Sequence, residues 1–217
     1  WVVSPLPALA QLPSLSASSG PAAQSTPPAT QPAGAVVVTD QVRAELLAHA
    51  PRGVGPGLPL WLGLKIEHRP HWHTYWKNPG DSGQATSMNW TLPSGASAGE
   101  IQWPLPQRQP VGPLMNYGYD GTLLLQVPVT VAARPSGEVF EVALEADWLV
   151  CKEVCIPENG KFVLRVPLGG PVAGHAALFD AARARVPQVL AGAKGRAELV
   201  APPASAASGA SGGGGAP

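Results

Sequence analysis

Leu60, Leu62, Leu64 and Ile66 alternate with Trp61, Gly63, Lys65 and Glu67. A hydrophobic period of two residues belongs to an extended chain that turns one face to a core and the other to water. The same period recurs where Val42, Ala44 and Leu46 oppose Arg43 and Glu45. Further extended runs begin at Val36 and at residues 72–77, 87–92, 100–103, 123–131, 139–150 and 161–166. Turn formers divide them: Asn78-Pro79-Gly80-Asp81, Pro93-Ser94-Gly95, Asp120-Gly121, Pro135-Ser136-Gly137 and Asn159-Gly160. Roughly seven or eight short strands at this spacing predict an all-β fold, an antiparallel β-sandwich of immunoglobulin-like type.

The ends of the chain follow other rules. All 14 basic and 14 acidic side chains lie between Asp40 and Glu198, and the net charge is +0. Such a balance offers no long-range pull on phosphate, which argues against a nucleic-acid partner. Residues 1–35 are expected to be a disordered Pro/Ser/Ala arm, because their composition cannot bury enough apolar surface to offset chain entropy. Within that arm Ala8 and Ala10 carry the small-residue spacing of a signal-peptidase site, which leaves two readings: the end of an export signal, or an ordinary Ala/Pro-rich arm. The sandwich domain should span residues 36–170. A helical extension is expected over 171–200, where Ala176, Phe179, Ala182 and Val186 fall at helical intervals within 173–190 and Pro187 stands near the end. Residues 201–217 pass from Ser/Ala into four consecutive glycines, the composition of a flexible linker.

Only two cysteines are present, Cys151 and Cys155, directly after the strongest strand pattern. An extended chain would hold their Cα atoms ~13 Å apart. A disulfide needs ~4.4–6.8 Å, so a bridged pair requires a turn, and one helical turn with about 6 Å of rise would fit. Closing so small a ring stabilises by roughly 2 kcal/mol, the low end for disulfides. A tight disulfide on a loop suits thiol exchange better than stapling, although the spacing is not that of thioredoxin and no βαβ pattern surrounds it. Lys152 would favour a thiolate, while Asp147, Glu153 and Glu158 would oppose it. From these residues alone, a redox pair and a structural staple both stay open.

The run Trp148-Leu149-Val150-Cys151, with Cys155-Ile156-Pro157-Glu158 after it, resembles the cysteine segment of the N-terminal periplasmic domain of DsbD/ScsB-type thiol:disulfide interchange proteins. His73-Thr74-Tyr75-Trp76-Lys77-Asn78-Pro79-Gly80-Asp81-Ser82-Gly83, Trp90-Thr91-Leu92-Pro93, Ile101-Gln102-Trp103-Pro104 and Asn116-Tyr117-Gly118-Tyr119 continue the resemblance in order. The likeness is greatest to the branch of the copper-sensitivity suppressor ScsB and covers residues 36–166. It implies a periplasmic domain whose cysteine pair is the catalytic group and whose only cofactor is that redox-active disulfide. It implies electrons arriving from a membrane electron-transfer domain, of the same or a companion chain, and leaving to thioredoxin-like partners such as disulfide isomerases or cytochrome c maturation factors. By position, Cys155 would form the mixed disulfide and Cys151 would resolve it. Tyr75 and Tyr119 would shield the sulfurs with their hydroxyls nearby, and a cap loop would fall around Val111 and Met115. The cysteine spacing here is shorter than in the better-known members, and the cap lacks their acidic-aromatic pattern.

Trp90, Trp103 and Trp148 are expected in the core, as large aromatic rings usually are. His68, His71 and His73 invite a metal reading, since a strand would put His71 and His73 on one face and Met88 and Met115 could add soft ligands. No carboxylate or thiolate completes a set, and Pro70 interrupts the strand, so no metal is assigned; His71 and His73 are the candidates if one binds. The alternatives to electron transfer are therefore a secreted binding domain with a structural disulfide and a copper-handling protein.

Overall fold

The computed structural model describes residues 34–188 together with Trp1, Gly192, Gly195 and Arg196. The predicted disordered arm and the Gly-rich linker lie outside the described residues, apart from Trp1, Gly34 and Ala35. The first strands are β1 (Val36–Val38), β2 (Val42–His49), β3 (Leu60–His68), β4 (Thr74–Gly80), β5 (Ser87–Thr91) and β6 (Ala96–Ala98). There follow β7 (Gln107–Val111), β8 (Leu114–Tyr119), β9 (Thr122–Val131), β10 (Val139–Cys151), β11 (Cys155–Pro167) and the helix α1 (Ala176–Ala184).

A five-stranded antiparallel sheet runs β1-β2-β3-β9-β6, and a three-stranded sheet runs β11-β10-β5. Alternation dictates the layer between them. Val42, Ala44 and Leu46 of β2, Leu60, Leu62, Leu64 and Ile66 of β3, and Leu123, Leu125 and Val127 of β9 are each no more than 2% exposed. They meet Phe140, Val142, Leu144, Ala146, Trp148 and Val150 of β10 in a single cluster. Burying each of the Val, Leu, Ile and Phe side chains among them is worth about 1.5–3 kcal/mol, enough to fix the register of both sheets. Trp90 and Trp103 pack against the same cluster, partly buried. On the outer face of β2 and β3, Arg43, Glu45, Lys65 and Glu67 form a ladder of ion pairs.

The outer face of the larger sheet also carries α1. Leu47 and Leu124 point away from the main core and are covered by Phe179 and Ala182. Gly63 lies between them, where a Cβ would come within 2.7 Å of Leu124 Cδ1 and 3.1 Å of Phe179 Cζ. The missing side chain seats the Phe179 ring. The helix is shorter than the expected 173–190, because its backbone is diverted after Ala184: the Arg185 carbonyl accepts the Leu105 N–H at 2.8 Å.

Several strand boundaries differ from those expected. Residues 100–103 form no strand; Gln102 makes only an isolated bridge to Gln126, and the three-residue β6 takes the edge of β9 instead. Pro104 and Pro106 after it cannot donate to a ladder. The Asn159-Gly160 pair is no turn but the interior of β11, where Gly160 makes room for the Phe162 and Trp148 rings. A third sheet, β4-β8-β7, was not foreseen as such. Its β7–β8 hairpin turns at Gly112-Pro113; β7 has no buried residue, so it lacks the apolar alternation that marks a half-buried strand.

Candidate functional site at the cysteine hairpin

The two longest strands, β10 and β11, pair without interruption from Val139 opposite Pro167 to Cys151 opposite Cys155. Cys151 ends one strand and Cys155 begins the other, so the ladder itself delivers the two side chains to one face. They form a disulfide with a Cα separation of 4.1 Å. Lys152, Glu153 and Val154 make the loop, closed by a Lys152 N–H to Val154 carbonyl bond of 3.1 Å. The expected helical turn is thus a hairpin turn: opposed residues of a ladder approach more closely than residues one helical turn apart.

The two sulfurs occupy unlike surroundings. Cys151 is 2% exposed, whereas Cys155 is exposed on the outer strand of its sheet. Cys151 is buried because β4 approaches on its other side. The His73 N–H bonds the Cys151 carbonyl at 3.0 Å, and the Cys151 N–H bonds the His73 carbonyl at 2.9 Å. Of the pair, Cys155 is the residue turned toward solvent.

Tyr75 on β4, two residues after His73, donates its hydroxyl to Cys155 Sγ at 3.6 Å. Its ring is only 1% exposed, and burial raises its pKa, so the phenol stays a donor through the neutral range. Gly83 holds the ring in place. It adopts φ +105°, and a Cβ there would lie 2.3 Å from Tyr75 Cε1, so only glycine meets both demands. The predicted turn at Asn78-Pro79-Gly80-Asp81 is the end of β4 and the start of the loop after it, and Gly83 in that loop backs the Tyr75 ring. The His73 ring stands edge-on to Tyr75, with centroids 5.4 Å apart.

Tyr119 behaves differently from expectation. Its hydroxyl donates to the Pro104 carbonyl at 2.7 Å and its ring belongs to the main core. Burial raises its pKa strongly. The reason is register: Tyr119 opposes Thr74 on β4, while Gly118 opposes Tyr75. One position along a strand changes the face.

Of the two cap residues, Val111 ends β7 beside a cavity of about 580 Å³, whose walls include His71, Trp72, His73, Asp120 and Glu153. Met115 does not line it. Its N–H bonds the Asp81 carboxylate at 2.8 Å, tying β8 to the loop after β4. His71 lies in a turn at φ +72°, ahead of β4, so the strand face predicted to unite it with His73 is not formed. His68 spends both ring nitrogens, on the Gly121 carbonyl at 2.8 Å and Thr74 Oγ1 at 3.0 Å. Among the described residues no group of three or more His, Cys, Asp or Glu is placed to hold a metal ion. Glu158, expected to oppose a thiolate, instead accepts from Trp148 Nε1 at 2.9 Å and from the Thr39 hydroxyl.

No helix among the described residues is long and apolar enough to cross a membrane. In sequence, no curated protein matches the chain significantly. In structure, the N-terminal periplasmic domain of ScsB from Proteus mirabilis is similar, with a TM-score of 0.54 and 22% identity over 70% of this chain. This chain spans 58% of that domain's length. The N-terminal domain of Neisseria meningitidis DsbD in its reduced form aligns with a TM-score of 0.32 and 15% identity, over 59% of this chain and 90% of that one. The sequence pattern of the N-terminal region of thiol:disulfide interchange protein DsbD matches residues 44–167, from β2 through both cysteines to the end of β11. With more than half of its length inside that pattern, and an immunoglobulin-like β-sandwich bearing a cysteine pair at a hairpin tip, the chain belongs to the DsbD N-terminal domain family of thiol:disulfide interchange proteins.

Proposed function

We propose that this domain is a periplasmic protein-disulfide reductase module that passes electron pairs through Cys151 and Cys155 to exported thioredoxin-like proteins. The observation that carries the reading is the asymmetry of the pair, one cysteine buried and the other exposed at a hairpin tip. In the reduced state the Cys155 thiolate attacks a client disulfide, forming a mixed disulfide and releasing one client thiolate. Cys151 then attacks Cys155 Sγ, the mixed disulfide breaks, and the second client sulfur leaves with the electron pair. A membrane electron-transfer domain, in the same or a companion chain, returns two electrons to the Cys151–Cys155 disulfide. Val154, 63% exposed at the loop tip, supplies an apolar contact suited to a protein client.

A structural staple is the poorer account, since the ladder already holds the two residues opposite one another without it. The test is trapping. A Cys151→Ala chain, mixed with an oxidised thioredoxin-like protein, should accumulate a mixed disulfide through Cys155, resolved on a non-reducing gel and by mass. If neither single-cysteine variant forms an adduct, the reading is wrong.

A further inference from the structure

We propose that His73 is the general base for Cys151, taking its thiol proton as Cys151 closes on the mixed disulfide. This rests on the exchange reading above and adds a residue to it. His73, Cys151 and Cys155 stand in one cross-strand row: His73, the residue before β4, opposes Cys151 across an isolated bridge to β10, and Cys151 opposes Cys155 across the β10–β11 ladder. Directly opposed residues of an antiparallel pair point to the same face, with Cβ atoms about 4.5–5.5 Å apart. The imidazole and the buried cysteine side chain therefore leave the backbone on one face as cross-strand neighbours, while Tyr75, two residues further along, serves the exposed sulfur. One short segment, His73 to Tyr75, furnishes a partner for each cysteine.

The His73 ring is itself 6% exposed, and its Nε2 is buried without a hydrogen-bond partner. Such a nitrogen carries a desolvation cost of about 1–3 kcal/mol unless some state of the protein supplies a partner. In the disulfide state the neighbouring Cys151 sulfur has no proton to offer. In the reduced and mixed-disulfide states it is a thiol, able to donate. The lone nitrogen and the buried thiol answer each other's need only when the bridge is open.

The groups facing His73 come from five segments: His68 at the end of β3, Asp120 after β8, His71 before β4, Lys152 and Glu153 at the hairpin tip, and Tyr75 on β4 itself. Burial lowers the His73 pKa, with Asp120 opposing. The ring is thus neutral at neutral pH, the form that can accept a proton. In the closing step the Cys151 S–H bond breaks, its proton goes to His73, and its electron pair forms the bond to Cys155 Sγ. The bond between Cys155 Sγ and the client breaks, and the client leaves as a thiolate. The imidazolium then returns its proton to water through the adjoining cavity that His73 shares with His71, Asp120 and Glu153.

The test uses the reduced full chain and one equivalent of dithiobis(nitrobenzoate), a disulfide that releases one coloured thiolate when Cys155 attacks and a second when Cys151 closes. Because its leaving thiolates need no proton, the second release reports the Cys151 thiol alone. In His73→Gln the first release should keep its rate, while the second slows about tenfold near neutral pH, a modest share of the range for general bases because a thiol also ionises unaided. The deficit should vanish at pH values well above the ordinary thiol pKa of about 8.5, where Cys151 ionises without help. In His73→Ala, added imidazole should restore the second release. A second release unchanged in His73→Gln, or slowed equally at every pH, overturns the assignment and leaves the exchange reading standing. A wild-type chain that never yields the second release overturns both.

Discussion

Tyr75 and Tyr119 are both buried aromatic residues near the cysteine-bearing end of β4 and β8, yet only one touches sulfur. The Tyr75 hydroxyl has Cys155 Sγ as its partner, whereas the Tyr119 hydroxyl is committed to a backbone carbonyl. A donor aimed at a sulfur favours the thiolate over the thiol. Hydrogen bonds to charged groups are worth about 1.5–3 kcal/mol, and one pKa unit is about 1.36 kcal/mol. Tyr75→Phe should therefore raise the Cys155 thiol pKa by about one unit, read from the pH dependence of iodoacetamide alkylation in a Cys151→Ala background. An unchanged alkylation profile would show that the hydroxyl does not act on the thiolate. Tyr119→Phe should leave that profile unmoved.

At the scale of elements, α1 and the cysteine hairpin occupy different layers. The helix covers the outer face of the five-stranded sheet through Phe179, which is fully buried against Leu47 and Leu124. The hairpin belongs to the other sheet of the sandwich. Phe179→Ala should cost about 3–5 kcal/mol in denaturant unfolding, the usual range for deleting a buried aromatic ring. The rate of Cys155 alkylation in the folded protein should not change, since no described hydrogen bond or packed ring links the helix to the site. A parallel loss of reactivity would mean the two layers are coupled. The helix was readable because Ala176, Phe179 and Ala182 repeat at helical spacing. Its end was not, because a carbonyl claimed by Leu105 is a long-range event that no local propensity records.

For the whole molecule, acid stability follows from two histidines at the seam between β3, β4 and β10. Burial lowers the pKa of His68, against the Gly121 carbonyl and Asp120, and of His73, against Asp120. Each folded value lies below the ordinary 6.5. Between that folded value and 6.5 the unfolded chain binds more protons, so stability rises with pH across the window and is lost as pH falls through it. Urea unfolding of the oxidised chain should show a falling free energy from near neutral pH downward, with a shallower slope in His73→Gln. Above the window neither histidine contributes a slope. Glu45 acts lower on the scale: burial would raise its pKa, but the hydrogen bonds from Arg43 and Lys65 outweigh it, so its contribution is present above the unfolded value and lost as pH falls below it. A free energy that stays level through the histidine window would contradict the burial of these rings.

Alternation in the sequence by itself determined which residues of β2, β3, β9 and β10 enter the core, because burial on one face of a strand is written in its own period. The cysteine spacing determined that a bridged pair needs a turn between the two residues, and the linked motifs around it marked the family. What the sequence could not settle was how the strands lie beside each other. The approach of the His73–Tyr75 segment to β10 buries Cys151, leaves Cys155 in the open, sets His73 opposite Cys151 and the Tyr75 hydroxyl beside the Cys155 sulfur, and sends Tyr119 to the core. Those outcomes, the pairing of His73 with Cys151 among them, depend on cross-strand register between segments far apart in the chain. A shift of one residue would exchange every face. Only the tertiary packing of the two sheets selects that register, since it is the one that buries both hydrophobic faces at once.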